Sequence, residues 1–292
     1  MKIPRDAPAG GDLDLVVQAI ALAREDLDIL ALLTDTEGAD PLGRAGNDAY
    51  ALRSVRGFEG VAAACAGAGY DCALVPPARL LERVRLVAMD MDSTLITIEC
   101  IDEIADLQGL KPEVAAITAR AMRGEIDFRA SLAERVALLA GLPVSALERV
   151  YDERLRLSPG AERMIATFKS AGASLLLVSG GFTFFTDRLR DRLGFDATLS
   201  NRLEIAGGKL TGRVAGDIAD AAAKAAALRQ HAEAVRGSAD GLVVAIGDGA
   251  NDLPMLAAAD VSIAYRAKPA VRAKAMHAID YCGLDAILNL FA

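Results

Sequence analysis

Two aspartates spaced by one residue, Asp90 and Asp92, stand where the apolar run Leu86-Val87-Ala88-Met89 ends. A carboxylate there can attack phosphorus, its neighbour can exchange a proton with a leaving oxygen, and both could bind a hard cation. An ordinary turn after a strand, where Asp and Ser are common, accounts for the same string. A second apolar run, Leu242 to Ile246, leads into Gly247-Asp248-Gly249-Ala250-Asn251-Asp252. Its glycines would let the backbone approach a ligand closely, and Asn251 or Asp252 could equally cap a helix. Val178-Ser179-Gly180-Gly181-Phe182-Thr183 offers a hydroxyl and bare backbone N–H groups at a predicted helix start, which makes either an anion cradle or a tight turn. Lys224, in the alanine-rich stretch from Ala221, reads by itself as a solvated helix lysine.

The elements that must carry these residues follow from hydrophobic periodicity. Short apolar runs predict strands at Leu86–Met89, Ser174–Val178, Leu242–Ile246 and Val261–Ala264, alternating with amphipathic stretches. That alternation is the pattern of a parallel α/β sheet covered by helices. Each run is followed by Gly, Ser or Asp, so the polar groups gather at one sheet edge, where open α/β sheets bind ligands. From Glu99 to Leu157 the strand signal stops, and helices are predicted over Ile101–Leu107, Pro112–Arg123, Phe128–Leu139 and Val144–Leu155. These form an inserted helical cap. The α/β pattern resumes at Ser158, and a hairpin is expected over Thr198–Val214, around Ala206-Gly207-Gly208. In the first 80 or so residues, strands near Asp28–Leu33, Ala49–Val55 and Cys72–Val75 with a helix over Phe58–Ala66 suggest a small α+β module. The expected division is therefore 1–80 for the N-terminal module, 81–98 with 158–292 for the core, and 99–157 for the cap.

Composition narrows the function classes. A chain of 292 residues that is 53% hydrophobic can build two or three structural units. A net charge of −8 argues against a nucleic-acid partner, although a metal ion or a few lysines can reverse the field inside one cleft. No apolar run approaches the roughly 18 residues of a membrane span, and Met1 to Leu15 lacks a signal-like apolar region, so a cytoplasmic protein without a membrane partner is expected. Cys65, Cys72, Cys100 and Cys282 show no CxxC pair and no accompanying histidine cluster, which points to free thiols. With His231 and His277 as the only histidines, a mechanism built on a histidine base is disfavoured.

Taken in order, Asp90-Met91-Asp92-Ser93-Thr94, Ser179-Gly180-Gly181, Lys224 and Gly247-Asp248-Gly249-Ala250-Asn251-Asp252 resemble the four motifs of the haloacid dehalogenase superfamily of phosphotransferases. The stretch Ile98-Glu99-Cys100-Ile101-Asp102-Glu103-Ile104, followed by Ala121-Met122-Arg123-Gly124 and Phe128 through Leu139, is similar to its phosphoserine phosphatase family. The similarity runs from about Leu86 to the C-terminus, and the first 80 residues resemble amino-acid-binding ACT-like modules.

The resemblance implies a Rossmann-like core with a helical cap and Mg2+-dependent hydrolysis of phosphoserine, the last step of serine biosynthesis. It implies that Asp90 attacks phosphorus and that Mg2+ is held by Asp90, the backbone carbonyl of Asp92 and Asp248. Lys224, Ser179, Gly180 and Gly181 would hold the phosphate. Asp92 would donate and later remove a proton, and so needs a raised pKa. Asp252 and Asn251 would orient Lys224 or a water, or touch phosphate. Glu99 would meet the substrate ammonium, Arg135 its carboxylate, while Met122 and Phe128 close over the site. Read without the resemblance, Arg135 is a surface charge on an amphipathic helix, and Met122 and Phe128 are cap core. Two other functions fit the same motifs: a phosphotransferase passing phosphate to homoserine or another small alcohol, and a serine-sensing protein. A homodimer is among the assemblies the sequence allows.

Overall fold

The computed structural model describes residues 1–7, 12–235 and 241–292. The chain opens with β1 (Asp14–Ala19), α1 (Arg24–Thr34), β2 (Asp40–Pro41), β3 (Asp48–Leu52), α2 (Val61–Ala68) and β4 (Asp71–Val75). These strands form an antiparallel sheet of order β2-β3-β1-β4. β1 is buried on both faces, because alternate residues serve different cores. Leu15 and Val17 pack with Leu30 and Val61 of the two helices, whereas Val16 joins the core of the rest of the molecule. Asp71 strengthens that junction by accepting hydrogen bonds from the backbone N–H groups of Asp280 (2.7 Å), Tyr281 (3.1 Å) and Cys282 (2.9 Å).

This region corrects the sequence reading at one element. Asp28–Leu33, expected as a strand, is the middle of α1. Leu27, Leu30 and Thr34 are the buried positions, a helical spacing, while Ile29 and Leu32 are exposed, so the apolar run is not one continuous inward face. β1, which the sequence reading did not include, is one of the two central strands of the small sheet, paired with β3 and β4.

The second sheet has the order β11-β10-β9-β5-β6-β7-β8, and all its pairings are parallel except β7 with β8. Its strands are β5 (Val84–Asp90), β6 (Ser174–Phe182), β7 (Ala197–Ala206), β8 (Lys209–Ala215), β9 (Leu242–Gly247), β10 (Val261–Tyr265) and β11 (His277–Ile279). Leu86, Ala88, Leu176, Val178, Val243 and Ala245 pack on one face against Leu228, Met255 and Leu256. Val87, Met89, Leu175, Leu177, Val244 and Ile246 pack on the other against Ile165, Phe168 and Ile287. This two-residue alternation between two apolar cores buries both faces, and each large side chain so placed contributes about 1.5–3 kcal/mol. β7 and β8 form the expected hairpin, turned by Gly207 (φ 57°) and Gly208 (φ 74°).

Between β5 and β6 lie α3 (Cys100–Asp106), α4 (Lys111–Met122), α5 (Phe128–Ala137), α6 (Ser145–Arg149) and α7 (Ala161–Ser170). The helix expected over Val144–Leu155 is α6 continued by a wider π turn at Val150–Arg154. α3 to α6 leave and rejoin the sheet through a two-stranded stem, where Ile96 pairs with Leu157 and Thr97 N–H donates to the Arg156 carbonyl (3.0 Å). The remaining helices are α8 (Thr183–Leu193), α9 (Ala221–Val235), α10 (Leu253–Ala258) and α11 (Pro269–Arg272). None of the described helices is long and apolar enough to cross a membrane.

The chain leaves β5 for β6 on one side and reaches β9 on the other only later. Ligand crevices form beyond the carboxyl ends of strands at such a reversal. Asp90, Ser179-Gly180-Gly181 and Asp248 all sit at that edge.

Candidate active site

Asp90 is the last residue of β5 and is buried. Lys224, near the start of α9, is 1% exposed and donates from Nζ to Asp90 Oδ1 (2.7 Å) and to Asp252 Oδ1 (2.8 Å). The lysine that looked unremarkable in isolation therefore bridges two buried acids. Burial acts to lower its pKa, but Asp90 and Asp252 overcome this and hold it above the usual lysine range. Asp90 is itself pushed well up by burial and by Asp252, with Lys224 opposing.

Asp252 has no free oxygen capacity to speak of. Besides Lys224 it receives the backbone N–H of Asp248 (3.2 Å) and of Gly249 (3.0 Å), and Asn251 Nδ2 (3.4 Å). Gly247 is required by this packing, since a Cβ there would lie 2.6 Å from the Asp252 carboxylate. Asp248 faces the crevice with Thr94 Oγ1 as the one donor to its side chain among the described residues (3.4 Å), and burial together with Asp252 pushes it up to about 6. Asp90, Asp248 and Asp252 can each present an oxygen within 4.8 Å of the others. Three acids with one buried lysine leave negative charge that a hard cation would offset, and every donor in the group is oxygen, as Mg2+ prefers.

Asp92 lies in a kinked turn after β5, where Ser93 adopts φ 56°. Its Oδ1 accepts from Cys100 N–H (2.9 Å) and its Oδ2 from Ser179 Oγ (3.3 Å). Burial, then the neighbouring charge of Glu99, pushes Asp92 up to about 7, where a carboxyl can both give and take a proton. Ser179 Oγ in turn accepts from Gly181 N–H (2.8 Å). A Cβ on Gly181 would come within 2.7 Å of Asp92 Oδ2, and one on Gly180 would press against Phe128 at 3.1 Å. Both glycines are thus fixed by space rather than by backbone conformation.

These groups floor a cavity of about 600 Å3. Asp90, Asp92, Glu99, Met122, Phe128, Arg135, Gly180, Gly181, Asp248 and Asn251 line it, whereas Ser179, Lys224 and Asp252 sit behind its wall. Met122 is 70% exposed and stands at the rim. Glu99 Oε1 accepts from Ser93 Oγ (2.6 Å), linking α3 to the floor. Arg135, half-buried, donates only to the Ser131 carbonyl (3.3 Å) and forms no salt bridge with any described residue.

Asp102, Lys268 and Asn201 were not singled out from sequence. The first two line the cavity, and Lys268 also donates its backbone N–H to the Asp248 carbonyl (3.3 Å). Asn201, fully buried on β7, donates from Nδ2 to the Gly180 carbonyl and accepts from Ala219 N–H, both at 2.8 Å. It ties the glycine turn to the entry of α9. The one signal available was a polar amide in an otherwise regular hairpin strand. His231 donates from Nδ1 to the Ala227 carbonyl (2.9 Å), His277 is buried against Arg79, and neither lines the cavity.

The haloacid dehalogenase-like hydrolase family matches residues 87–257. The chain belongs to that family. Among curated hydrolases of this family, the phosphoserine phosphatase of Polaromonas sp. (strain JS666) is 55% identical over 215 residues, covering 72% of this chain and 91% of that protein. A solved structure of a probable phosphoserine phosphatase from Vibrio cholerae superposes with a TM-score of 0.80 at 37% identity, covering 95% of this chain and 85% of that one. A haloacid dehalogenase family hydrolase from Salmonella enterica serovar Typhi superposes with a TM-score of 0.86 at 31% identity, over 96% and 98% of the two chains. Both structures extend across the N-terminal module as well as the hydrolase core.

Proposed function

We propose that this hydrolase removes phosphate from phosphoserine, with Asp90 as the group that receives the phosphoryl group. The observation that carries the reading is the stacking of two unlike sites in one cavity: a buried Asp90–Lys224–Asp252 cluster below, and Glu99 with an unpaired Arg135 above. The similarity to phosphoserine phosphatases supports the same substrate.

In the first step an Asp90 carboxylate oxygen forms a bond to phosphorus as the bond from phosphorus to the seryl oxygen breaks. Asp92, carrying a proton, gives it to that oxygen, so that serine leaves as a neutral alcohol. In the second step the Asp92 carboxylate takes a proton from water as the water oxygen attacks phosphorus, releasing phosphate and restoring both aspartates. Lys224 offsets charge on the phosphoryl oxygens while Asp252 fixes its direction, and the Gly180 N–H with the Ser179 hydroxyl receives those oxygens, the Gly181 N–H steadying Ser179 Oγ. The free oxygens of Asp90 and Asp248, with the Asp92 carbonyl, fit Mg2+, which when bound supplies the positive charge that lets a carboxylate approach a phosphate dianion. Asp252, whose oxygens are already engaged, is better suited to supporting these groups than to holding the ion.

Helices α3 to α6 act as a cap that selects the substrate: Arg135 presents a planar fork to the carboxylate and Glu99 an acceptor to the ammonium. Phe128 covers Gly180 and limits water. Serine metabolism and four unpaired thiols suit a reducing cytoplasm. Phosphate release from phosphoserine and methyl phosphate, each with Mg2+ and with excess chelator, tests the reading. Phosphoserine should be preferred by at least about a hundredfold in kcat/KM, and chelation should abolish turnover. Equal use of both esters would overturn it.

A further inference from the structure

Helix α3 and the residue before it, Glu99, present four acids, and three of them are engaged. Glu99 accepts from Ser93 Oγ. Glu103 receives Arg154 Nη1 (2.6 Å) and Lys111 Nζ (3.3 Å), and Asp106 receives the same Arg154 nitrogen (2.6 Å). The Asp102 carboxylate accepts no hydrogen bond and forms no salt bridge with any described residue, although the residue is half-buried and lines the cavity. A carboxylate in that setting is disfavoured until a cation reaches it. Burial pushes its pKa up, with Arg135 and then Lys111 opposing.

Glu99 is the residue that precedes α3 and Asp102 stands in its first turn, and both line the cavity. Arg135 is across from them on α5, and Asp102 is the acid that acts most strongly on it. Yet Arg135 and Asp102 form no salt bridge. Two opposite charges line one cavity and leave room between them. An α-amino acid head fills such a gap with its own two charges reversed: its carboxylate toward the guanidinium and its ammonium toward the acids. A ligand with the carboxylate alone would still meet Arg135 but would bring a second anion beside Asp102 and leave both acids without a cation.

We propose that Asp102 is a specificity-determining residue, which accepts the substrate ammonium together with Glu99 and turns away phosphorylated acids that lack an ammonium. The inference rests on the phosphoserine reading above and adds the residue that separates an amino acid from a simple acid. It places Asp102 in contact with substrate and distinguishes it from a group that merely steadies Arg135.

Four monoesters separate these roles: phosphoserine, phosphoethanolamine with the ammonium alone, phosphoglycolate with the carboxylate alone, and methyl phosphate with neither. Ratios of kcat/KM within one variant cancel the fraction of folded enzyme. In Asp102→Asn the phosphoserine to phosphoglycolate ratio should fall about tenfold or more, the scale of a hydrogen bond between charged groups, and the phosphoethanolamine to methyl phosphate ratio should fall with it. Asp102→Glu should recover part of both. The proposal is overturned if both ratios stay within twofold of the unmodified enzyme. It is also overturned if phosphoserine and phosphoglycolate drop together against methyl phosphate, because Asp102 would then be acting through Arg135. If the unmodified enzyme itself shows no preference for phosphoserine over methyl phosphate, the functional reading fails instead, and the two failures are distinct.

Discussion

At the sheet edge, Lys224 is enclosed with Asp90 and Asp252, and Asp252 receives four donors. Across the cavity, Arg135 and Asp102 remain half-exposed, and among the described residues the Ser131 carbonyl is the one partner of their side chains. Apart from the charge left for a hard cation, the floor residues hold one another in place before any substrate arrives, positioned for chemistry common to phosphate esters. The roof is unfinished, and its charges are satisfied by whichever ligand carries the complementary pair. Removing a floor residue should therefore damage turnover of every substrate, and removing a roof residue should change which substrate is used.

The largest effect is expected at Asp90. Asp90→Asn should lower phosphate release from all esters by on the order of a thousandfold or more, with the thermal unfolding transition retained. If phosphoserine alone were affected, the floor would not be substrate-blind. Lys224→Met should cost both activity and stability, because it strands two buried acids; removal of one member of a buried ion pair costs about 3–5 kcal/mol. Denaturant unfolding would read this directly, and an unchanged midpoint would show that the floor charges are not mutually dependent.

Arg135→Ala sharpens the comparison from the other side. Phosphoserine kcat/KM should drop about a hundredfold relative to methyl phosphate measured on the same preparation. A drop shared equally by both esters would assign Arg135 to the floor. Asn201→Ala should be milder, at about 1–3 kcal/mol of unfolding free energy, since it leaves the Gly180 carbonyl and Ala219 N–H without their partner.

How far the sequence disclosed this arrangement differs between the two halves of the cavity. The floor was legible because each of its acids follows an apolar run within a few residues, so periodicity and chain order alone bring Asp90 and Asp248 to one edge. Lys224 acquired meaning only through partners 134 and 28 residues away. The roof was less legible. Asp102 looks like any other acid on a charged helix, and only the placement of Arg154 and Lys111 shows that its neighbours are occupied and it is not. Asn201 was hidden for the same reason, its partners lying 21 and 18 residues off. The strand expected at Asp28–Leu33 failed because an apolar run was read without its phase, which Leu27 and Leu30 set as helical.

The smallest effect lies outside the cavity and serves as its control. Arg79, wholly buried, donates to both oxygens of Asp6 and to His277 Nε2 (2.7 Å), so that nitrogen must be unprotonated. Burial, then Arg79, holds His277 well below its usual pKa. Above about pH 6.5 the ring is neutral in both folded and unfolded chains, and no stability is lost. As pH falls below that value the unfolded chain takes up the proton first, so stability should decline by up to about 1.4 kcal/mol per pH unit. His277→Gln should flatten this slope between pH 6.5 and 5 while leaving the relative use of phosphoserine and methyl phosphate alone.

On the proposed mechanism Asp90 carries the phosphoryl group from serine to water. Rapid acid quench during turnover of phosphoserine labelled on phosphorus, followed by digestion and mass analysis, tests it most directly. A hydroxylamine-labile phosphate is expected on the peptide containing Asp90, absent from Asp90→Asn. Full turnover with no trapped phosphate, or with the label on a different residue, would contradict it.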